Sequence, residues 1–223
     1  MQHLAVIMDG NGRWAENRGQ ERSYGYRFGA EALVSLLADF LTLPISVMTV
    51  YAFSTENNNR DNKEVSNIFS VIASFLLSGV FPFCEKYNVN IRFIGNITGL
   101  PERMKRVLTL APKTSGEKTI VIALNYGGTD EVTRAYIRMR DKGIEKPTEK
   151  DLFACLDTAG LPLPDAVLRY GGYKRLSNFL PIQSAYAELF FTDKLWPDYA
   201  REDIEKVLSE YSSIKRNFGG NHA

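Results

Sequence analysis

LAVIMDGNGRW, residues 4–14, is the stretch that decides the fold of this 223-residue chain. Its first five residues are an apolar run that is long enough for a buried strand and too short for a helix. Asp9 ends the run, and Gly10-Asn11-Gly12 follows at once. Two glycines around an asparagine favour a tight turn with positive φ and exposed backbone N–H groups. The pattern therefore predicts a strand whose carboxyl end opens into a polar turn.

Three arginines, Arg13, Arg18 and Arg22, follow this turn in a segment that can begin a helix. A carboxylate at the end of a strand, then free amides, then guanidinium groups suit a metal-bound phosphate or diphosphate. The alternative is an ordinary strand and turn with a surface aspartate, because Asp-Gly pairs are common in turns. The residues favour the binding site and leave the alternative open.

Composition limits the classes of protein that fit. Lys and Arg number 27 and Asp and Glu number 26, a net charge of +1, so no global field points to nucleic acid or to an anionic membrane. Cys84 and Cys155 are too few for a disulfide scaffold or a CxxC metal site, which fits a reducing cytoplasm. His3 and His222 lie near the termini, which argues against a histidine metal site or a Ser-His-Asp triad.

We expect one cytoplasmic domain that spans residues 1–223. The length suits one large domain better than two small ones. No basic region followed by an apolar region precedes the first strand, so no signal peptide is visible. No run approaches the roughly 18 apolar residues of a membrane span.

Strands and helices alternate along the chain. Short apolar, β-branched runs predict six strands, at about 4–8, 45–51, 89–94, 119–124, 165–169 and 187–191. Apolar residues at helical spacing predict helices at about 24–43, 61–79 and 201–217, with further helix starts near 101, 129 and 148. This alternation predicts an α/β domain with a central, mostly parallel six-stranded sheet flanked by helices.

Polar residues follow several of the predicted strands. Asp9, residues 54–57, Asn125 and Arg169 lie at such carboxyl ends, where parallel sheets bind ligands, so we expect them to converge. A second cationic group surrounds a pair of glycines after the fifth strand: Arg169, Lys174, Arg175 and Ser177 around Gly171-Gly172. Two cationic clusters on one face suit two diphosphates or one long polyanion.

Glu188 stands in an otherwise apolar stretch, residues 185–191. A buried carboxylate without a partner is costly, so we expect a cation beside it. That cation is either an arginine or a Mg²⁺ shared with Asp9, since two carboxylate ligands, phosphate oxygens and water suit the octahedral preference of Mg²⁺.

These segments resemble the signature motifs of the cis-prenyltransferases, the family of the undecaprenyl diphosphate synthases. The matching blocks occur in family order over nearly the whole chain: MDGNGRWA (8–15), YAFSTEN (51–57), Arg60, RFIG (92–95), ALNYGG (123–128), RLSNFL (175–180), QSAYAELFFT (183–192), LWPD (195–198) and FGG (218–220). The resemblance implies a fold with an elongated hydrophobic tunnel. It also implies a Mg²⁺-dependent condensation of isopentenyl diphosphate with an allylic diphosphate, such as farnesyl diphosphate, to a cis-polyprenyl diphosphate.

Carried over position by position, the resemblance assigns the site. Asp9 would be the catalytic carboxylate that holds Mg²⁺, Glu188 would complete the metal site, and Asn57 would assist proton removal. Residues near the first turn would hold the allylic diphosphate: Gly10, Asn11, Gly12, Arg13 and Arg22. Residues after the second strand would shape and close the site: Ser54, Thr55, Glu56 and Arg60. Trp14, Tyr26 and Asn58 would also bind substrate. Arg169, Arg175 and Ser177 would bind isopentenyl diphosphate.

The resemblance also bears on partners. A homodimer is expected, in which Gly219-Gly220 lean towards the partner subunit's site. The apolar helix from Asp61 would wall the product tunnel. No nucleic acid is expected, and a long lipid product implies peripheral contact with a membrane, although no basic amphipathic helix indicates it.

Four residues depart from the family pattern. Tyr26 stands where His is usual, Asn58 where Trp is usual, and Tyr170 and Tyr173 where Thr and Glu are usual. All are expected near the substrates, so they put primer choice and product length in question. Two alternatives therefore remain: a short-chain or irregular coupling of small allylic diphosphates on the same fold, and a catalytically silent partner subunit.

Overall fold

The computed structural model describes residues 1–215 and contains one six-stranded sheet. The strands are β1 His3–Ile7, β2 Val47–Ser54, β3 Asn90–Ile94, β4 Thr119–Tyr126, β5 Ala166–Arg169 and β6 Glu188–Phe191. Their order is β3-β4-β2-β1-β5-β6, and every neighbouring pair is parallel. The prediction of a six-stranded α/β domain is confirmed, and the sheet is parallel throughout.

Eight α-helices lie along the described residues. They are α1 Asn11–Glu16, α2 Arg22–Thr42, α3 Asn62–Phe75, α4 Phe81–Tyr87, α5 Glu102–Leu108, α6 Gly128–Asp141, α7 Glu149–Cys155 and α8 Arg201–Ser213. A π-helical turn, Leu76–Val80, joins α3 to α4, so the helix predicted to end near residue 79 continues to Tyr87. Pro82 is tolerated there because it lies in the first turn of α4. Gly219-Gly220 and His222 lie outside the described residues.

Strand β1 is buried on both faces, as its apolar run predicts. Leu4 and Val6 belong to the larger core cluster, which includes Phe40 of α2. Ala5 and Ile7 belong to the smaller cluster on the opposite face of the sheet. The alternation of side chains along β1 therefore joins both cores and fixes the strand in the middle of the sheet.

The register of β1 sets the position of the polar turn. Ile7 pairs with Tyr51 of β2 on one side and with Arg169 of β5 on the other. The turn at Asp9 therefore lies just beyond the carboxyl ends of these strands. Gly10 adopts φ +108°, and a Cβ there would lie 2.8 Å from Leu195, so the turn requires glycine at this position.

One segment of the described chain, Asn62–Tyr87, is long and apolar enough to cross a membrane by length and composition alone, with a mean hydropathy of 1.8. This differs from the expectation that no run approaches such a length. Ile68, Leu76 and Val80 of this segment pack in the larger core cluster. A core helix of a globular domain meets the same criterion, so the finding is weak evidence for a membrane span.

Candidate functional site

A cavity of about 670 Å³ opens at the carboxyl ends of β1, β2 and β5. The charged residues that line it are Asp9, Arg13, Arg22, Glu56, Arg60, Arg169 and Arg175. Five arginines against two carboxylates leave an excess of three positive charges in one cavity. Such a concentration of guanidinium groups suits an anion with several oxygen atoms.

Asp9 and Arg169 form the centre of this cavity. The Arg169 side chain is only 4% exposed, and its Nη2 donates to Asp9 Oδ2 at 2.8 Å. Its Nη1 donates to Ser177 Oγ at 2.7 Å and to the carbonyl of Arg175 at 2.5 Å. Arg13 Nη2 lies 3.4 Å from the other oxygen, Asp9 Oδ1. A buried guanidinium needs such a counter-charge, so Asp9 holds both arginines at the end of the sheet.

The loop after β5 passes very close to this pair. Gly171 adopts φ +92°, and a Cβ there would lie 2.6 Å from Arg13 Nη2 and 3.1 Å from Asp9 Cβ. Its N–H donates to the carbonyl of Lys194 at 2.7 Å. Glycine is therefore required both by the backbone conformation and by the space beside the carboxylate.

The segment after β2 is held by local hydrogen bonds. Asn57 Oδ1 accepts from the Ser54 N–H at 3.0 Å, and Ser54 Oγ donates to Glu56 at 2.6 Å. Asn178 Nδ2 donates to the other oxygen of Glu56 at 2.8 Å. Burial raises the pKa of Glu56, but the hydrogen bonds from Ser54 and Asn178 outweigh it, so the pKa lies below its usual value. Glu56 is therefore an ionised carboxylate at neutral pH.

A second network borders the cavity on the side of α2 and α3. Tyr26 donates to Glu64 Oε1 at 2.5 Å, and Arg60 Nη1 contacts both Tyr26 Oη at 2.9 Å and Glu64 at 3.0 Å. Arg22 donates to Glu16 at 2.9 Å and lies 3.6 Å from Glu64. The hydrogen bond from Tyr26 lowers the pKa of Glu64, with help from Arg60 and Arg22 against the effect of burial. This network fixes two cavity arginines before any ligand is bound.

An apolar cavity of about 90 Å³ adjoins the polar one and shares Tyr26, Tyr51 and Ile68 with it. Ile72 and Phe75 of α3 form part of its wall, as the sequence predicts for the helix after Asp61. The site therefore joins a cationic chamber to a small hydrophobic one.

Most of the predicted site residues meet in the polar cavity. Those that line it are Asp9, Gly10, Asn11, Gly12, Arg13, Arg22, Tyr26, Ser54, Glu56, Asn57, Arg60, Arg169, Arg175 and Ser177. Their convergence follows from the parallel sheet, which brings strand ends from distant parts of the chain to one edge.

Trp14 does not line either cavity, contrary to the prediction. Its ring lies 4.8 Å from that of Phe28, and its Nε1 donates to Asp198 at 2.6 Å. Tyr170 is likewise buried away from the expected substrates, with its ring 5.0 Å from that of Trp196. Trp14 thus joins α1 to α2 and to Asp198, whereas Tyr170 joins the end of β5 to Trp196 and, through its hydroxyl, to Asp203 of α8.

Thr55 and Asn58 also lie outside the lining of the cavity. Asn58 Nδ2 donates to Asn125 Oδ1 at 2.9 Å and to the carbonyl of Thr55 at 3.1 Å. Thr55 Oγ1 donates to Glu56 at 3.1 Å. These residues connect the loop after β2 to the end of β4. Their predicted contact with substrate stays a prediction.

Within one chain the structure does not bring Glu188 beside Asp9, with which it is predicted to share a metal ion. Glu188 pairs with Ala166 at the start of β5, whereas Arg169 pairs with Phe191. Three residues at about 3.3 Å each place Glu188 about 10 Å from the level of Arg169, and Asp9 lies beyond that level. Strand β6 is also an edge strand on which Glu188 is only half-buried, so the expected need for a buried cation does not arise.

Three lining residues with a hydroxyl or amide side chain were not among the predicted site residues: Tyr51, Tyr173 and Asn178. Tyr51 ends the predicted second strand, so its position at a strand end was the available signal. Asn178 adopts φ +62° in the loop after Ser177, which sequence spacing does not indicate. Tyr173 was visible only as a departure from the family pattern.

A Mg²⁺ ion fits this set of residues through one carboxylate. The described residues contain no group of three or more His, Cys, Asp or Glu side chains placed to hold a metal. The Asp9 side chain is 30% exposed, and its Oδ1 lies 3.4 Å from Arg13, which leaves this oxygen accessible from the cavity. Mg²⁺ commonly binds through one or two carboxylates, substrate phosphates and water, and Asp9 would supply one such carboxylate.

Sequence comparisons agree with this geometry. The profile of a family described as "Putative undecaprenyl diphosphate synthase" matches residues 7–219. An isoprenyl transferase of Wolinella succinogenes is 40% identical over 223 residues, 99% of this chain and 97% of the relative. An isoprenyl transferase of Treponema denticola is 38% identical over 222 residues, 98% of this chain and 97% of the relative.

Two solved structures are similar over the whole chain. The lavandulyl diphosphate synthase of Lavandula x intermedia, in complex with dimethylallyl diphosphate, superposes with a TM-score of 0.92 at 28% identity, covering 98% of each chain. A "probable undecaprenyl diphosphate synthase" of Campylobacter jejuni superposes with a TM-score of 0.83 at 32% identity, covering 99% of each chain.

Proposed function

We propose a reaction for this chain, which belongs to the undecaprenyl diphosphate synthase family and is an enzyme that transfers prenyl groups. In this reaction it condenses isopentenyl diphosphate with an allylic diphosphate, such as farnesyl diphosphate, to a cis-polyprenyl diphosphate. The observation that carries the proposal is the cationic chamber, with its excess of three positive charges, joined to an apolar chamber. An allylic diphosphate has one polyanionic end and one hydrocarbon end, and each chamber suits one of them.

In the proposed reaction the allylic C–O bond breaks and diphosphate leaves. The double bond of isopentenyl diphosphate attacks the allylic carbon, and loss of one proton restores a double bond in the cis configuration. Arg13 and Arg22 would hold the leaving diphosphate, while Arg169, Arg175 and Ser177 would hold isopentenyl diphosphate. Fixed guanidinium groups stabilise the negative charge that grows on the leaving group, which lowers the barrier.

Asp9 would hold Mg²⁺, and the ion would neutralise part of the diphosphate charge when bound. Asp9 also orients Arg169 and Arg13, so one carboxylate serves both functions. Asn57, with its side-chain oxygen fixed by the Ser54 N–H, would assist removal of the proton.

A second candidate is the coupling of short allylic diphosphates to a short or irregular product. The apolar chamber has a volume of only about 90 Å³, against about 670 Å³ for the polar one. The high structural similarity to a lavandulyl diphosphate synthase also supports it. A catalytically silent subunit is less well supported, because Asp9, Arg13, Arg22 and Arg175 all line the cavity.

We further propose that the enzyme is a cytoplasmic homodimer that contacts the membrane peripherally when it makes a long lipid product. Edge strand β6 supports pairing of two copies, because Leu189 on it is 46% exposed. Light scattering after gel filtration measures the molecular mass of the protein in solution. A mass equal to that of the monomer at micromolar concentration would contradict the pairing.

The function is tested by incubating purified protein with Mg²⁺, isopentenyl diphosphate and, separately, dimethylallyl, geranyl or farnesyl diphosphate, followed by sizing of the products. Long products from farnesyl diphosphate that disappear in Asp9→Ala and in EDTA support chain elongation. Short products from dimethylallyl diphosphate, with none from farnesyl diphosphate, support the second candidate. Binding of every diphosphate without turnover would instead support the silent subunit.

A further inference from the structure

The ring of Tyr173 lies among three arginines of the cavity. Its centroid is 4.1 Å from Arg175 Cζ, 4.8 Å from Arg13 Cζ and 5.7 Å from Arg169 Cζ. All three distances are within the range in which a guanidinium is attracted by the negative face of an aromatic ring. One side chain therefore contacts cations from helix α1, from the end of β5 and from the loop after β5.

Two of these guanidinium groups carry buried N–H groups without a hydrogen-bond acceptor among the described residues. They are Arg13 Nη2 and Arg169 Nε. A buried donor without an acceptor is costly, and an aromatic face is a weak acceptor for such a group. The ring of Tyr173 thus lies beside two cations whose hydrogen bonding is incomplete.

The loop that carries Tyr173 is held firmly. Gly171 and Gly172 before it adopt φ +92° and +78°, and their N–H groups donate to the carbonyls of Lys194 at 2.7 Å and Thr192 at 2.9 Å. The ring itself remains 42% exposed at the mouth of the cavity. Its position is therefore set by the backbone and not by burial of the side chain.

We propose that Tyr173 is a positioning residue that holds Arg13, Arg169 and Arg175 as one cationic surface without neutralising them. A carboxylate at this position, as in the family motif, would form ion pairs and cancel one positive charge. The tyrosine ring orders the same arginines through its face and adds no negative charge to that of Asp9, which already pairs with Arg13 and Arg169. The consequence is that this cavity binds a diphosphate group in the absence of a divalent cation. The identity of the full substrate rests on the proposed function, but the binding of the diphosphate group does not.

The test measures binding of inorganic pyrophosphate in EDTA by isothermal titration calorimetry. We expect Tyr173→Phe to bind within about twofold of the unchanged protein, because the ring face is retained. Tyr173→Leu should bind about five- to tenfold more weakly, as expected for the loss of two or three exposed cation–π contacts. Tyr173→Glu should bind more weakly still in EDTA and recover in Mg²⁺. Tyr136→Leu, which changes an exposed tyrosine on α6 outside the cavity, is the matched control.

A second readout separates electrostatics from shape. Four variants carry phenylalanine at position 173 with no, one, two or three fluorine atoms on the ring. Each added fluorine weakens the negative face of the ring while its size stays nearly constant. A dissociation constant that rises stepwise with fluorine number supports the proposal. A constant that does not change along this series, or Tyr173→Leu that binds like the unchanged protein, overturns it. If the unchanged protein fails to bind pyrophosphate even with Mg²⁺, the proposed function itself is contradicted.

Discussion

Arg169 Nη2 donates to Asp9 Oδ2 at 2.8 Å, across 160 positions of the sequence. The guanidinium is almost completely buried, so it depends on this carboxylate for its counter-charge. We therefore expect the pair to contribute both to the proposed catalysis and to the stability of the folded protein. These two contributions can be measured separately.

Asp9→Asn keeps the shape of the side chain and removes its charge. We expect turnover to fall by about 10²–10³-fold, the size typical for loss of one preorganised electrostatic group. We expect the free energy of unfolding to fall by about 1–3 kcal/mol, less than for a fully buried pair because Asp9 is partly exposed. Steady-state kinetics and urea denaturation measure the two effects. An unchanged or increased stability would show that Asp9 is not the required counter-charge.

Gly171→Ala tests the close approach beside Asp9. The new Cβ would lie 2.6 Å from Arg13 Nη2 at a backbone φ of +92°, so both strain and displacement of the arginine are expected. Gly160→Ala is the matched control, because it introduces similar strain at φ +81° with nothing within 4 Å of the new Cβ. Both variants should lose about 1–2 kcal/mol of stability. Only Gly171→Ala should weaken pyrophosphate binding, and equal binding by the two would contradict the role of this approach.

Phe75→Ala enlarges the apolar chamber at the wall formed by α3. If the chamber holds the growing hydrocarbon chain, the product distribution should shift by at least one isoprene unit towards longer chains. The loss of stability should be smaller than the roughly 3–5 kcal/mol of a fully buried Phe→Ala change, because Phe75 is only partly buried. Leu77→Ala, an exposed position on the neighbouring π-helical turn, should leave the product length unchanged. Equal products from both variants would exclude this chamber as the length determinant.

His3 makes the stability of the protein dependent on pH. Its Nε2 accepts from Thr49 at 2.7 Å while Nδ1 donates to the carbonyl of Pro162 at 2.7 Å. Burial lowers the pKa of His3 to about 4, against the opposing effects of Pro162 and Asp165. Between pH 6.5 and about 4 the unfolded chain therefore binds the proton and the folded chain does not, so stability falls as the pH falls.

From pH 7 to pH 5 this group should remove about 2 kcal/mol of the free energy of unfolding. Urea denaturation at the two pH values measures the change. His3→Gln cannot titrate, so its stability should depend much less on pH over the same interval. If the pH dependence of the variant equals that of the unchanged protein, His3 is not its source.

The sequence by itself determined the strands, the helices and the edge at which the site lies. Runs such as residues 4–8 are buried on both faces only in a parallel sheet between helices, so the alternation was sufficient to predict the class of fold. The parallel arrangement then placed Asp9 and Arg169 at one edge without any further information. The sequence also indicated the separation of Glu188 from Asp9 within one chain, since Glu188 lies near the start of its predicted strand and Asp9 follows the end of another.

The tertiary structure alone decided where each side chain of the motifs points. Trp14 and Arg13 are neighbours in one motif, yet the tryptophan packs against Phe28 and the arginine faces the cavity. The contacts of Tyr173 with arginines of α1, of β5 and of the loop after β5 depend on the positive φ of two glycines and on the separation of strand ends. These features arise from packing between segments far apart in the chain, and the hydrophobic periodicity of a single segment carries no information about them.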